Sequence, residues 1–250
     1  MSSAEAAARS FCAKGAGLRC GDCNALFAAL DEEARAGLMR MCRQFVLAPK
    51  DTAFAQGDAA SRIFCLAEGV MCIYKLLPDG RRQVTGFALP GDFFELTRQD
   101  VHTQTAEAIT PASVCACPRS QFRRLMEGNA EALRRMNEIV ARELGGAYER
   151  MMMLGRYMAE EKMAAFLLSW RESQRLSGHR DEVTPIPMSR RDMADYLGLT
   201  IETVSRTFTK LERAGVIEIV SGGVRIVDER RAEQMASGHA ADRMKGAPAA

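Results

Sequence analysis

The sequence predicts an α+β chain: an N-terminal antiparallel β-roll, a long helix suited to dimerisation, and a C-terminal winged helix-turn-helix. Three observations carry this expectation. Between about 34 and 118, short apolar runs are punctuated by Gly, Pro and Asp, as closely spaced antiparallel strands require. From 133 to 154, apolar residues recur every three or four positions, the spacing of a helix packing stripe. At 189–213, SRRDMADYLGLTIETVSRTFTKLER reads as two helices around a glycine turn.

Taken in order, residues 1–31 carry Cys12, Cys20 and Cys23 in a Gly/Ala-rich setting without periodicity, a loop that needs something to order it. Residues 32–120 form the roll. FVLAPKDTAFAQGD, RIFCLAEGVMCIYKLLPDGR, RQVTGFALPGDFF and SVCACP are its clearest runs, with turns at Gly57-Asp58, Asp79-Gly80 and Pro90-Gly91-Asp92. Asp-Gly favours the tight turns that match strand twist. Residues 121–155 form the long helix, with Leu133, Met136, Val140, Leu144, Ala147, Met151 and Leu154 along one face. A helix lying on its own roll would carry such a stripe too, but its length over several turns favours a dimer seam. The run Met151–Met153 suits adaptable helix packing better than haem or copper ligation. Residues 156–235 hold a helix near 160–176, a polar link GHRDEVTP, the helix-turn-helix, and GVIEIVSGGVRIVDE, an alternating hairpin or wing. The Ala/Gly-rich tail 236–250 is expected to be disordered.

Composition excludes several classes. At 250 residues the chain has room for two domains, and no apolar run approaches a membrane span. MSSAEAAARSFC lacks the apolar core of a secretory signal, so a cytoplasmic location is expected. In that reducing setting, eight cysteines suit metal, cluster or redox roles better than structural disulfides. Net charge is only +2, so nucleic-acid binding must rest on local placement. There is no nucleophile elbow, P-loop or hydrolytic acid pair, and an enzyme is not expected. His102, His179 and His239 lie far apart in polar settings without metal-ligand spacing.

The helix-turn-helix is legible residue by residue. Ser189 is a suitable N-cap for a helix whose inner face is Met193, Ala194 and Leu197. Gly198 supplies the tolerance for positive φ that a tight turn needs. Thr200 then caps a second helix with Val204, Phe208 and Leu211 inward. Opposite stand Glu202, Thr203, Ser205 and Arg206, near the helix N-terminus where a recognition helix meets the major groove. Arg pairs bidentately with guanine, Glu accepts from cytosine, and Ser or Thr serves either. Arg190, Arg191, Lys210 and Arg213 add positive charge for phosphates.

In this order of elements, and in the segments VTGFALPGDFF, SVCACP, AEEKMAAFL and LGLTIETVSRTF, the chain resembles the CRP/FNR family of transcription regulators over about residues 20–230. The last two segments look like its FNR/FixK branch, whose recognition helix carries E-x-x-S-R, here Glu202, Ser205 and Arg206. The resemblance implies a cyclic-nucleotide-binding-like roll, a homodimer, and a palindromic DNA site with half-sites like TTGAT. It also implies an RNA polymerase contact at the hairpin Asp79-Gly80-Arg81, where a plain surface turn is the open alternative. Cyclic AMP is not the implied effector. GDFFELTRQDVHTQTAEA keeps Glu95 and Arg98, but His102-Thr103-Gln104 stands about where the phosphate-clasping Arg is expected. Neither His nor Thr reproduces a bidentate charge-assisted grip.

The cysteines, by the same resemblance, imply an iron–sulfur cluster of the 4Fe–4S kind and a response to oxygen or redox state. Cys20-Gly-Asp-Cys23 resembles the start of the branch's cluster loop, and Cys115 in SVC resembles the ligand on its central strand. Ala29 stands where that loop has a further cysteine, which leaves Cys12 to complete a Cys12/Cys20/Cys23/Cys115 set. Alternatives stay open. Cys20 and Cys23 suit a redox pair or exposed thiols, and Cys117, on the same strand face as Cys115, suits a substitute ligand or a buried residue. Cys42, Cys65 and Cys72 lie in apolar runs and are read as core. A haem-dependent nitric-oxide sensor and a thiol-tuned regulator are the rival signals. A β-roll ligand-binding module or enzyme with an accessory helical domain is the rival class.

Overall fold

Side-chain alternation builds the roll. The computed structural model describes residues 30, 32–94, 96 and 99–237. Its first strands are β1 (Arg43–Leu47), β2 (Thr52–Phe54), β3 (Arg62–Glu68), β4 (Met71–Leu76), β5 (Arg82–Ala88), β6 (Phe93–Phe94), β7 (Thr105–Ala108) and β8 (Ala112–Pro118). They form two antiparallel four-stranded sheets, ordered β1-β8-β3-β6 and β2-β7-β4-β5. On β8, Ala112, Val114 and Ala116 join a core between the sheets with Phe54, Phe64, Leu66, Met71 and Phe94. Cys115 and Cys117 face the other way, into a second core with Ile63 and Cys65 of β3. Burial on both faces explains why these strands read as continuous apolar runs. The expected turns are present: Gly80 has φ +82° in the β4–β5 hairpin, and Gly91 has φ +97° while its N–H donates to the Leu66 carbonyl at 2.8 Å.

The outer core is roofed by helices. α1 (Glu32–Met41) precedes β1 where strand pattern was expected from about 34. Acidic Glu32 and Glu33 in its first turn and Arg40 in its last complement the helix dipole, a signal weaker than the apolar runs around it. The expected single helix after the roll is two: α2 (Arg119–Glu127) and α3 (Ala130–Arg156). The break has a local cause. Asn129 caps α3, its Oδ1 accepting from the Ala132 N–H at 2.9 Å, while the Gly128 N–H closes α2 on the Arg124 carbonyl. Phe122 and Met126 of α2 and Ala132 of α3 are buried in the outer core, with Met136 and Ile139 packed against it.

The remaining elements are α4 (Ala159–Leu176), β9 (Val183–Pro185), α5 (Arg190–Leu197), α6 (Ile201–Arg213), β10 (Ile217–Val220), β11 (Gly223–Ile226) and α7 (Glu229–Ala236). The wing is three-stranded, ordered β10-β11-β9, so the polar link holds a strand that sequence pattern missed. Trp170 on α4 anchors it, donating its indole N–H to the Pro185 carbonyl at 2.7 Å. α7, also unexpected, is capped by Asp228 and tied to α4 by an Arg171–Glu229 ion pair. Two compact units, Met1–Leu144 and Gly145–Ala250, divide within α3. Among the described residues no helix is long and apolar enough to cross a membrane.

Two expectations about side chains are corrected, for His102 and Cys42, and the surroundings of Met136 are specified. Met136, expected on the dimer stripe, is half-buried and packs against the outer core, three residues from the roll-facing Ile139. His102 is not in a polar setting: it is 3% exposed, with its ring stacked on Phe54 at a centroid distance of 4.0 Å. Cys65 and Cys72 are core residues, but Cys42 is only half-buried and is paired with Cys117, with Cα atoms 4.3 Å apart. Both cysteines lie at strand ends that the antiparallel register brings together.

Candidate nucleic-acid interface

Helix caps set the geometry of the interface. Ser189 and Asp192 form a reciprocal box: Ser189 Oγ accepts from the Asp192 N–H at 3.1 Å, and Asp192 Oδ2 accepts from the Ser189 N–H at 2.9 Å. Gly198 ends α5 at φ +62°, ψ +43°, the left-handed conformation that turns the chain into α6. Thr200 opens α6, its Oγ1 accepting from the Thr203 N–H at 3.1 Å. Val204, Thr207, Phe208 and Leu211 are buried, which leaves Glu202, Ser205, Arg206, Thr209, Lys210 and Arg213 on the outer face. From Ser205 to Arg213 these residues line an open groove.

The expected contact residues differ in their surroundings. Arg206 is exposed, its Nη2 donating weakly to Thr203 Oγ1 at 3.4 Å, so its guanidinium is available to a base. The Glu202 carboxyl is held below the ordinary range, first by its own N–H, then by the Thr200 hydroxyl and by Arg206. It is therefore an ionised acceptor at neutral pH. Ser205 is exposed but donates to the Ile201 carbonyl at 3.0 Å, and Thr203 is half-buried beside the cap. Arg191 is exposed. Arg190 is half-buried, with Cζ 3.5 Å from the Phe208 ring centroid, and burial lowers its pKa. It is a cation–π strut between α5 and α6. Lys210 is paired with Glu160 of α4.

One residue of this scaffold escaped sequence reasoning. Lys162 of α4 is buried, and its Nζ donates to the Leu197 carbonyl at 3.1 Å, at the C-terminal end of α5. A cation there satisfies an end carbonyl and complements the helix dipole. Burial lowers the Lys162 pKa. AEEKMAAFL held the residue in plain view, but nothing local marks a lysine as inward.

The other expected sites separate into what the structure brings together and what it does not. Leu133, Val140, Leu144, Ala147, Met151 and Leu154 are exposed on α3, joined by Tyr148 and Met152. Cys115 is buried in the outer core beside its cross-strand partner Cys65. Cys12, Cys20 and Cys23, with Glu95, Arg98 and His239, lie outside the described residues. Among the described residues no three His, Cys, Asp or Glu side chains are grouped to hold a metal ion.

A family model described as a Crp-like helix-turn-helix domain matches residues 161–235, and one described as a cyclic nucleotide-binding domain matches 44–129. The nitrogen fixation regulation protein FixK of Bradyrhizobium diazoefficiens is 45% identical over 222 residues, covering 87% of this chain and 94% of FixK. The chain belongs to the CRP/FNR family of transcription regulators. Within it, this regulator is similar to the FixK/FNR-type members. The transcriptional activatory protein AadR of Rhodopseudomonas palustris is 46% identical, covering 79% of this chain and 83% of AadR. The solved structure of FixK2 from Bradyrhizobium japonicum matches with a TM-score of 0.72 at 32% identity, covering 78% of this chain and 96% of that one. These relatives are regulators rather than enzymes, so the helix-turn-helix of this regulator is a DNA-binding domain.

Proposed function

We propose that this regulator is a homodimer that reads a palindromic DNA site with α6 and answers oxygen or redox state through an iron–sulfur cluster of the 4Fe–4S kind. The observation that carries the DNA reading is the outer face of α6. Arg206 and ionised Glu202 stand in its first two turns, above a turn built from two caps and a left-handed glycine. Arg206 is the guanine-reading group and Glu202 the cytosine-reading one. Half-sites like TTGAT, spaced by about one helical turn of roughly 34 Å, suit two such helices.

The dimer reading is supported by exposure along α3. Val140, Leu144 and Met151 are 47%, 53% and 62% exposed, a run of large apolar residues that water solvates poorly. The exposed hairpin tip Asp79-Gly80-Arg81 is the candidate polymerase contact. Cyclic AMP is not the effector in this reading, because His102-Thr103-Gln104 supplies no guanidinium for the phosphate where one is expected.

Cys12, Cys20, Cys23 and Cys115 would hold the cluster. The chain leading out of the N-terminal segment supports this: Leu30 is buried in the same outer core as Cys115. Cys23 lies only seven residues before it, within reach of about 25 Å of extended chain. A bound cluster supplies oxygen-sensitive thiolate ligation between that segment and β8. The protein's own residues then act through packing: Cys115 shares its core with Ala132, at the start of α3.

Binding to half-site variants tests the DNA reading. Arg206→Ala should weaken specific binding by about 1–3 kcal/mol and relax discrimination at one base pair. Lys210→Ala should weaken all sequences alike. A uniform loss in Arg206→Ala would show that Arg206 meets only phosphate. Iron and sulfide assay under nitrogen tests the sensor: Cys20→Ser, Cys23→Ser and Cys115→Ser should each lose the cluster, and iron-free wild type after reconstitution would sink it.

A further inference from the structure

We propose that Cys42 and Cys117 are a redox-active dithiol, oxidised by a low-molecular-weight disulfide to a bond that clasps two helix–strand junctions of the roll. Cys42 directly follows α1, its N–H bonded to the Leu38 carbonyl at 3.0 Å, and leads into β1. Cys117 is the penultimate residue of β8, which runs directly into α2. β1 pairs antiparallel with β8, with Arg43 opposite Ala116. One further step of that register sets Cys42 opposite Cys117, and the Cα separation of 4.3 Å is just under the usual lower limit of about 4.4 Å for a disulfide.

Exposure assigns the two roles. Cys42 is half-exposed and is the attacking thiol, whereas Cys117 is buried and is the resolving one. The Cys42 thiolate attacks one sulfur of the small disulfide, forming a mixed disulfide and releasing one thiolate. Cys117, deprotonated, then attacks Cys42 Sγ and expels the second thiolate. The two cysteines lose two protons and two electrons, and the small disulfide becomes two thiols. A DNA-binding protein works in a thiol-reducing compartment, where a disulfide is transient and responsive rather than structural. The bond would close a loop between residues 75 apart, holding α1 beside the outer core that contains Phe122, Met126 and Ala132. Neither cysteine belongs to the cluster set proposed above, so the site does not depend on that reading.

The test uses full-length protein, purified under nitrogen with a thiol reductant and then treated with oxidised glutathione. The Cys20→Ser/Cys23→Ser double variant is run beside wild type, so that failure of the cluster reading leaves the result interpretable. Peptide mapping should show the Cys42 peptide joined to the Cys117 peptide, with two hydrogens lost and recovered on reduction. The melting temperature of the roll should rise by about 10 °C on oxidation. The shift should vanish in Cys42→Ser and persist in Cys65→Ser. If Cys42→Ser fails to fold, alkylation of reduced wild type decides: Cys42 must react faster than Cys117. Recovery of Cys42 only as a glutathione adduct or a free thiol, or joined to a different cysteine, would overturn the proposal.

Discussion

Replacing Gly198 with alanine would strike the turn on which the helix-turn-helix depends. At φ +62°, ψ +43°, an L-residue costs about 1–2 kcal/mol relative to glycine. An added Cβ would stand 3.3 Å from Leu154 Cδ2, the far end of a flexible side chain that can yield by a few tenths of an ångström, so sterics add little. The expected loss is therefore about 1–2 kcal/mol, or roughly 4–8 °C of melting temperature for each kcal/mol in a unit of this size. Far-UV circular dichroism melts of the full-length protein read it directly. Gly198→Asn should cost visibly less than Gly198→Ala, since Asn tolerates the left-handed region. An alanine variant as stable as wild type would refute the reasoning. Equal costs for Asn and Ala, relieved by Leu154→Ala, would show that crowding rather than backbone conformation decides the turn.

Other expectations follow from the same geometry. Thr200→Ala removes the α6 cap and should cost about 1 kcal/mol in thermal denaturation, while Thr200→Ser should recover most of it. Val140→Asp with Leu144→Asp should give a monomer in sedimentation, because an unpaired charge in an apolar seam costs several kcal/mol; a persistent dimer would place the interface elsewhere. The Glu160 carboxyl is held below its ordinary pKa, first by the hydrogen bond from Lys210. The sign follows: this contribution is present in full above the unfolded pKa of about 4.3 and is lost as pH falls through the lower folded value. Glu160→Gln should therefore flatten the acid limb of the melting curve. It should also free Lys210 for phosphate, raising non-specific DNA affinity at low salt.

Much of this protein is written locally. The Ser189 and Thr200 caps, the Gly198 turn, the inward Val204-Phe208-Leu211 face and the Gly80 and Gly91 turns each depend on residues a few positions apart, and each is where the pattern puts it. The outward placement of Arg206 and Glu202 was legible for the same reason, because a capped amphipathic helix has only one face left to present. Where local signals were faint, the reading failed. α1 and α7 are short helices, and β9 is three residues long with a single buried position. Too few residues expressed a period.

What the sequence alone determined is the order of elements, their caps and turns, and the face of α6 that meets solvent. What only the tertiary structure decided is the set of partners reached across long separations. Lys162 finds the Leu197 carbonyl 35 residues away, Trp170 finds the Pro185 carbonyl, and Cys42 finds Cys117 at a separation of 75. His102 turns inward because neighbouring elements bury it, against the setting its own segment suggested. Periodicity and capping are properties of adjacent residues along one backbone. Burial and pairing belong to surfaces that come into existence only when distant segments pack, so a lysine, a histidine or a cysteine acquires its role from neighbours that its own stretch of sequence does not contain.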